Sequence, residues 1–207
     1  METRMQLVRQ GEQWLLSNDG KGTKGLAKML GAQSHERSIG IVYNNQFQTI
    51  EYSQSSKIFG NEKQWSASFN RENNEIKTSH KDGVSQFESP PDTVDPLSLT
   101  LNLRYFLSIG ETEFSLNVVD ETGVSQHDFI VGETEILETA LGCISAVPVT
   151  RVRENSKRYS SGWYAESLDF MPVRLLHGKH GGREFEMRIT WLSVDGKSAA
   201  LQTDCPS

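Results

Sequence analysis

The chain has 207 residues, a net charge of −6 and 36% hydrophobic residues. That length holds one large all-β domain or two small ones, and it buries a core without help from disulfides or metals. The acidic balance excludes a nucleic-acid binder that works through a basic face, and no apolar stretch approaches the roughly 18 residues that a membrane-spanning helix needs.

The opening stretch METRMQLVRQGEQWLL lacks a continuous apolar segment, so no signal peptide is read in this chain. A strand over residues 2–10 is followed by Gly11-Glu12 and a second strand, QWLLSN. Residues 23–30 break the strand pattern. Leu26, Met29 and Leu30 fall at helical spacing, and Gly31 supplies a stop. Asn44-Asn45 then separates SIGIVY from FQTIEYSQ. In KQWSASFNR, Trp65, Ala67 and Phe69 share one face, while Gln64, Ser66, Ser68 and Asn70 share the other. One apolar and one polar face is the mark of a half-buried antiparallel strand. Asp82-Gly83 follows as a hairpin signal, because Asp-Gly supplies positive φ.

Residues 95–107, DPLSLTLNLRYFL, carry two signals. Leucine at every second position is strand spacing. Asp95 followed by Pro96 is a helix start, and no β-branched residue occurs among the leucines and aromatics apart from Thr100. Cap and propensity outweigh the alternation and predict a helix, buried on more than one side. EFSLNVVD returns to alternation, with Phe114, Leu116 and Val118 on one face. CISAVPVTRV is apolar on both faces, and Pro148 within it predicts an edge position or a bulge. REFEMRITWLSV is read as a long strand with Phe185, Met187, Ile189 and Trp191 on one face. The expected fold is mainly β: a single antiparallel meander over residues 1–207, with one or two short helices and a tail at 196–207. SPPDTVDP, near residue 90, is the most linker-like piece.

Three stretches in order carry a resemblance. They are Asp95-Pro96-Leu97-Ser98-Leu99 running on to Leu103-Arg104; FIVGETEILETALGCISAVPVTRV with Gly132, Glu135, Thr139 and Gly142; and GWYAESLDFMPVRL with Trp163, Leu168, Pro172, Val173 and Arg174. Together, over residues 2–195, they resemble the bacterial envelope family catalogued as domain of unknown function 3108 (DUF3108). That family is similar in architecture to lipoprotein carriers of the LolA type. The resemblance implies a single strongly curved antiparallel sheet, an open half-barrel with short helices at its concave side. It also implies a periplasmic or secreted location; without export the chain is cytoplasmic. Domains of this kind begin with an export signal and a further strand. Here the first strand follows Met1 directly, so the sheet is expected to lack one strand or the chain to be cut short.

Candidate chemistry is sparse. His177 and His180 have metal-ligand types, but the spacing reads as a hairpin tip without a third ligand. Ser125, His127 and Asp128 supply triad types on a strand face. Cys143 has no local base, and Cys143 and Cys205 are expected as two free thiols. Arg151, Arg153, Lys157 and Arg158 read as a solvated hairpin. Neither cofactor nor metal is expected. The candidate ligand-binding set is Leu97, Leu101, Arg104, Tyr105, Trp163, Tyr164 and Arg174. Aromatic and aliphatic groups would hold an apolar tail, and an arginine an acidic head. The structural alternative pairs Arg104 or Arg174 with Asp95 or another carboxylate and places Trp163 in the core. Three functions follow: a non-enzymatic module holding a lipid, acyl chain or lipidated peptide; a packed β domain with an envelope protein partner; and a hydrolase, the least supported.

Overall fold

The computed structural model describes residues 2–154, 156–182 and 184–198. Seven strands follow in chain order: β1 (Glu2–Gln10), β2 (Gln13–Lys21), β3 (Gln33–Tyr43), β4 (Gln46–Ile58), β5 (Asn61–Asn70), β6 (Glu75–His80) and β7 (Gly83–Glu88). A one-turn helix α1 (Gly25–Met29) lies between β2 and β3. Helix α2 (Leu99–Ser108) follows β7. Then come β8 (Glu113–Asp120), β9 (Gly123–Val131), β10 (Glu135–Thr139), β11 (Gly142–Val152), β12 (Arg158–Ala165), β13 (Met171–Lys179) and β14 (Glu184–Arg188), with a short ribbon of β15 (Ser193–Val194) and β16 (Lys197–Ser198).

The mainly β, antiparallel expectation holds, but the single strongly curved half-barrel does not. Strands β1 to β7 make one seven-stranded sheet in sequence order, and β8 to β14 make another. No sheet is strongly curled. The physical reason lies between β7 and β8. Every turn up to β7 joins neighbours, so pairing stays local; Asn44 and Asn45, both at positive φ, show the hairpin geometry that enforces this. The capped helix then occupies the place of the next hairpin, and β8 starts a new sheet with β9.

By contact density the chain forms two compact units. Unit 1 comprises the described residues up to Asn102 together with Leu116–Gln126; unit 2 comprises Leu103–Ser115 and the described residues from His127 onward. The division falls inside α2, not at the linker-like segment near residue 90.

The core of unit 1 gathers Trp14, Leu16, Tyr52, Trp65, Phe69 and Ile76 from the sheet with Leu97 and Leu101. Trp14 meets Phe47 edge-on at 5.8 Å, and Tyr52 lies 4.8 Å from Trp65. Polar groups on this buried face find partners. The Tyr52 hydroxyl donates to Glu36 Oε1 at 3.0 Å, and Trp65 Nε1 donates to Gln54 at 2.5 Å. Burial, then the charges of Glu36 and Asp95, push the Tyr52 phenol above its ordinary value.

The start of α2 is set by Asp95, which is fully buried. Its Oδ1 accepts the backbone N–H groups of Leu97 (2.8 Å) and Ser98 (3.0 Å), the capping role read from the sequence. Its Oδ2 accepts the hydroxyls of Ser38 on β3 and Thr49 on β4, both at 2.6 Å. One side chain thus starts the helical turn and ties it to two strands.

In unit 2, Ile144, Ala146, Trp163, Ala165 and Val173 form a buried cluster, with Leu168 and Ile189 packed against it. Pro148 is neither at an edge nor in a bulge. β11 pairs with β10 through residue 146 and with β9 from residue 149, and Pro148 sits between those two ladders on that side while facing Trp163 of β12 on the other. The bulges lie instead at Ile39/Gly40 and Trp163/Tyr164. The long strand read over REFEMRITWLSV stops at Arg188, and Trp191 is 56% exposed. Ile189 N–H still bonds Val173, but the ladder with β13 ends there, and Ser193–Val194 pairs instead with β16. Cys143 is disulfide-bonded, which corrects the expectation of a free thiol there; Cys205 and the end of the expected tail, 199–207, lie outside the described residues.

Replacing Asp95 by Ala strips a cap and two buried hydroxyl contacts, and should lower unfolding stability by about 2–4 kcal/mol in a urea titration. Asp95→Asn keeps the shape but turns an NH₂ toward donors, and should cost about 1–3 kcal/mol.

Candidate ligand-binding site

The structure divides the seven expected ligand contacts. Leu97 and Leu101, 4% and 3% exposed, belong to the packed core of unit 1 and line no open space. The other five lie in unit 2. Arg104 donates through Nε to the Asp169 carbonyl at 2.8 Å and also pairs with the Asp169 carboxylate. Asp169 is held for this by a left-handed backbone (φ 55°) at the end of the 3₁₀ turn Glu166–Leu168. Tyr105 packs edge-on against Phe106, which stacks on Phe114 at 4.6 Å. Trp163 is buried and donates to Glu135 at 3.0 Å. The Arg174 guanidinium covers the Trp163 ring at 4.1 Å, a cation–π contact, and its Nε reaches Glu186 at 2.7 Å. Tyr164 is buried, and that burial raises its phenol above the ordinary range.

Arg104 and Arg174 therefore meet carboxylates, as the structural alternative has it, but those carboxylates are Asp169 and Glu186. Asp95 serves serine, threonine and backbone donors instead. Of the triad types, Asp128 accepts through Oδ1 from the Ser115 hydroxyl at 2.6 Å. Among the described residues, no group of three His, Cys, Asp or Glu is placed to hold a metal.

Open space lies elsewhere, in unit 1, where Trp65, Glu36 and Gln54 from the core side also border it. A groove of about 1140 Å³ runs over β2 to β6. Its floor follows from register. Ser17, Arg37, Ser53, Ser66 and Ser79 pair in turn across β2, β3, β4, β5 and β6, forming one row of side chains. A second row, Asp19, His35, Ser55 and Gln64, lies beside it. Serines are short, so the middle of the face is low, and longer side chains such as Glu62, Lys63 and Lys81 form its rim. A smaller hollow of about 430 Å³ continues along Ser68 and Lys77. His35 Nδ1 lies 2.7 Å from Asp19 Oδ1, which fixes that ring at the wall.

Hydroxyls, amides and charges of both signs share this surface with apolar area that includes Trp65, so it offers hydrogen bonds beside an aromatic wall. The sequence held its signal: serine recurs on the polar face of KQWSASFNR, at Ser66 and Ser68, and of the strand before it, at Ser53 and Ser55. Alternation shows that a face is wet but not that it is hollow. The hollow depends on which strands pair in which register.

A family model described as Protein of unknown function (DUF3108) matches residues 1–187. Among solved structures, a beta-barrel-like protein of the domain of unknown function DUF1849 from Brucella abortus is similar to this chain. It has 6% sequence identity and a TM-score of 0.57, over 90% of this chain and 85% of that one. At that identity the likeness is one of fold. No curated protein matches the chain.

Two measurements probe the side chains placed here. Leu101→Ala should destabilise by about 2–5 kcal/mol in chemical denaturation, as a core truncation does. Glu186 illustrates the acid limb: burial pushes its pKa up, but hydrogen bonds from Arg188 and Arg174 and their charges outweigh that and hold it below the ordinary value. A depressed carboxylate contributes stability above its unfolded pKa and loses it as pH falls through the folded one. Glu186→Gln should therefore cost about 0.2–1 kcal/mol at neutral pH and nothing at strongly acid pH, read from urea midpoints across pH.

Proposed function

The chain belongs to the DUF3108 family, and from that premise we propose that it is a non-enzymatic binding module of the bacterial envelope that holds a polar ligand in the serine-floored groove of unit 1. The carrying observation is the register row Ser17–Arg37–Ser53–Ser66–Ser79 beneath a groove of about 1140 Å³. Short hydroxyls spaced at the strand interval of about 4.8 Å offer repeated donor and acceptor sites to an extended, hydroxyl-rich chain such as a glycan. Arg37 adds one fixed positive charge. The envelope assignment is supported by the family resemblance and by the disulfide at Cys143, a bond that persists in oxidising compartments.

A lipid or acyl ligand, the reading that a LolA-type likeness suggests, has less support. Its expected apolar contacts, Leu97 and Leu101, are committed to the core. A protein partner has a specific observation in its favour: β1 is exposed along all nine residues, including Met5, Leu7 and Val8, and among the described strands it pairs with β2. An exposed apolar strand at the end of a sheet order suits strand addition.

Soluble cell-wall glycan strands, titrated against isotope-labelled protein and followed by NMR, test the groove. Saturable shifts at Arg37, Ser53, Ser66 and Ser79 are expected. Ser66→Trp, which fills the floor, should weaken binding at least about tenfold. A co-purifying acyl species in native mass spectrometry, with the groove signals unmoved by glycan, would replace this reading with the lipid one.

A further inference from the structure

The two faces of the sheet in unit 2 are sorted by charge. On the face that carries Trp163, arginines meet acids: Arg174 and Arg188 both bond Glu186. The opposite face near the β11–β12 hairpin is different. Arg158 pairs in register with Lys179, and Ser160 with His177, so these four lie together. Arg153 Nη1 reaches Ser160 Oγ at 3.3 Å, and Ser160 Oγ lies 2.7 Å from His177 Nδ1. One hydroxyl is thus the meeting point of a guanidinium and an imidazole, with Arg158 and Lys179 alongside.

The acids nearby point elsewhere. Glu184 is engaged by the Tyr159 hydroxyl, on the alternate face. Glu154 is exposed in the hairpin loop. Among the described residues, Arg153, Arg158, Lys179 and His177 enter no ion pair with a carboxylate. The cost of this grouping is visible in its members. Burial and then the charge of Arg158 lower the Arg153 pKa, and burial and then the charge of Arg153 lower that of His177. A protein of net charge −6 has carboxylates to spare, yet none is among the described register partners of Arg158, Ser160, His177 and Lys179. Cations gathered round a hydroxyl against their own repulsion are arranged for an anion that arrives from outside.

We propose that Arg153, Arg158, Ser160, His177 and Lys179 form a phosphoryl-binding site on unit 2. A phosphoryl group has three oxygens to distribute. Arg153 and Arg158 supply guanidinium donors, the Ser160 hydroxyl donates to a third oxygen, and protonated His177 adds a charge-assisted bond. Lys179 contributes a point charge at the rim. The site lies on other strands than the groove of unit 1, so it stands whether or not that groove binds glycan.

The test uses the whole chain with two probes at constant ionic strength: inorganic phosphate, and vesicles of zwitterionic phospholipid with or without anionic phospholipid. NMR of the His177 ring is the readout. Phosphate should shift that ring saturably and raise its pKa, while chloride at equal ionic strength does neither. Arg153→Ala and Ser160→Ala should each weaken binding, the first by at least about tenfold. Lys63→Ala in unit 1 should leave it unchanged. Binding to anionic vesicles beyond that to free phosphate identifies a lipid headgroup as the source; equal behaviour identifies a free phosphoryl ligand. If neither probe moves the His177 ring in the folded wild-type protein, the proposal is wrong. If Lys63→Ala weakens binding as much as Arg153→Ala, the attraction is diffuse charge and the proposal is equally wrong.

Discussion

The carboxylate of Asp95 is the constraint on which unit 1 turns. A helix start buried beside a sheet leaves backbone N–H groups without water, and each must find an acceptor. Asp95 gives two of them one oxygen and offers the other to hydroxyls of two strands. The neighbours extend the arrangement. Val94 joins β8 by a parallel bridge, accepting from Val119 and donating to Asn117. Arg71 donates to the carbonyls of Thr49 and Thr93, and although burial lowers its pKa, Asp92 and Asp95 oppose that fall. The chain between the two sheets is therefore not a linker. It is hydrogen-bonded to both β4 and β8, and Ser98 and Asn102 continue its polar contacts into the first turns of α2.

Much of this was legible in the sequence, and the reasons differ by element. Asp95-Pro96 announces a helix against the leucine alternation because capping is local chemistry, complete within four residues. The hairpins at Asn44-Asn45 and near Gly83 are local too. What failed was non-local. The alternation in REFEMRITWLSV describes a strand's faces but not the neighbour that must pair with it, and past Arg188 that neighbour changes from β13 to β16. The expected half-barrel failed for the same reason: local turns predict who follows whom, while closure or separation of sheets depends on what covers each face. The ligand set shows the matching error at the level of side chains. Leucines, a tryptophan and arginines suit a lipid site and a packed core equally well. Arg104 with Asp169, and Arg174 between Trp163 and Glu186, take the second course.

The two proposed surfaces share a logic of exclusion. On unit 1, the low serine row is a face from which bulk has been withheld; on unit 2, the hairpin face is one from which acids have been withheld. In both cases the informative feature is the side chain that ordinary strand composition would have supplied. A wet sheet face normally carries long, mixed charges that fill and neutralise it.

Pro148 has a consequence for how unit 2 opens. Because β11 exchanges one neighbour for another at that residue, its two halves are zipped by separate ladders. β10 and the first half of β11 form a tight hairpin closed by Thr139 and Gly142, with Thr139 Oγ1 bonding the Gly142 carbonyl. The second half pairs with β9 on one side and β12 on the other. Ile144 and Ala146 hold the first half in the buried cluster with Trp163 and Val173, so the hairpin loosens only together with that core. A proline, usually read as a break in a sheet, here marks the seam between two ladders that one core binds together.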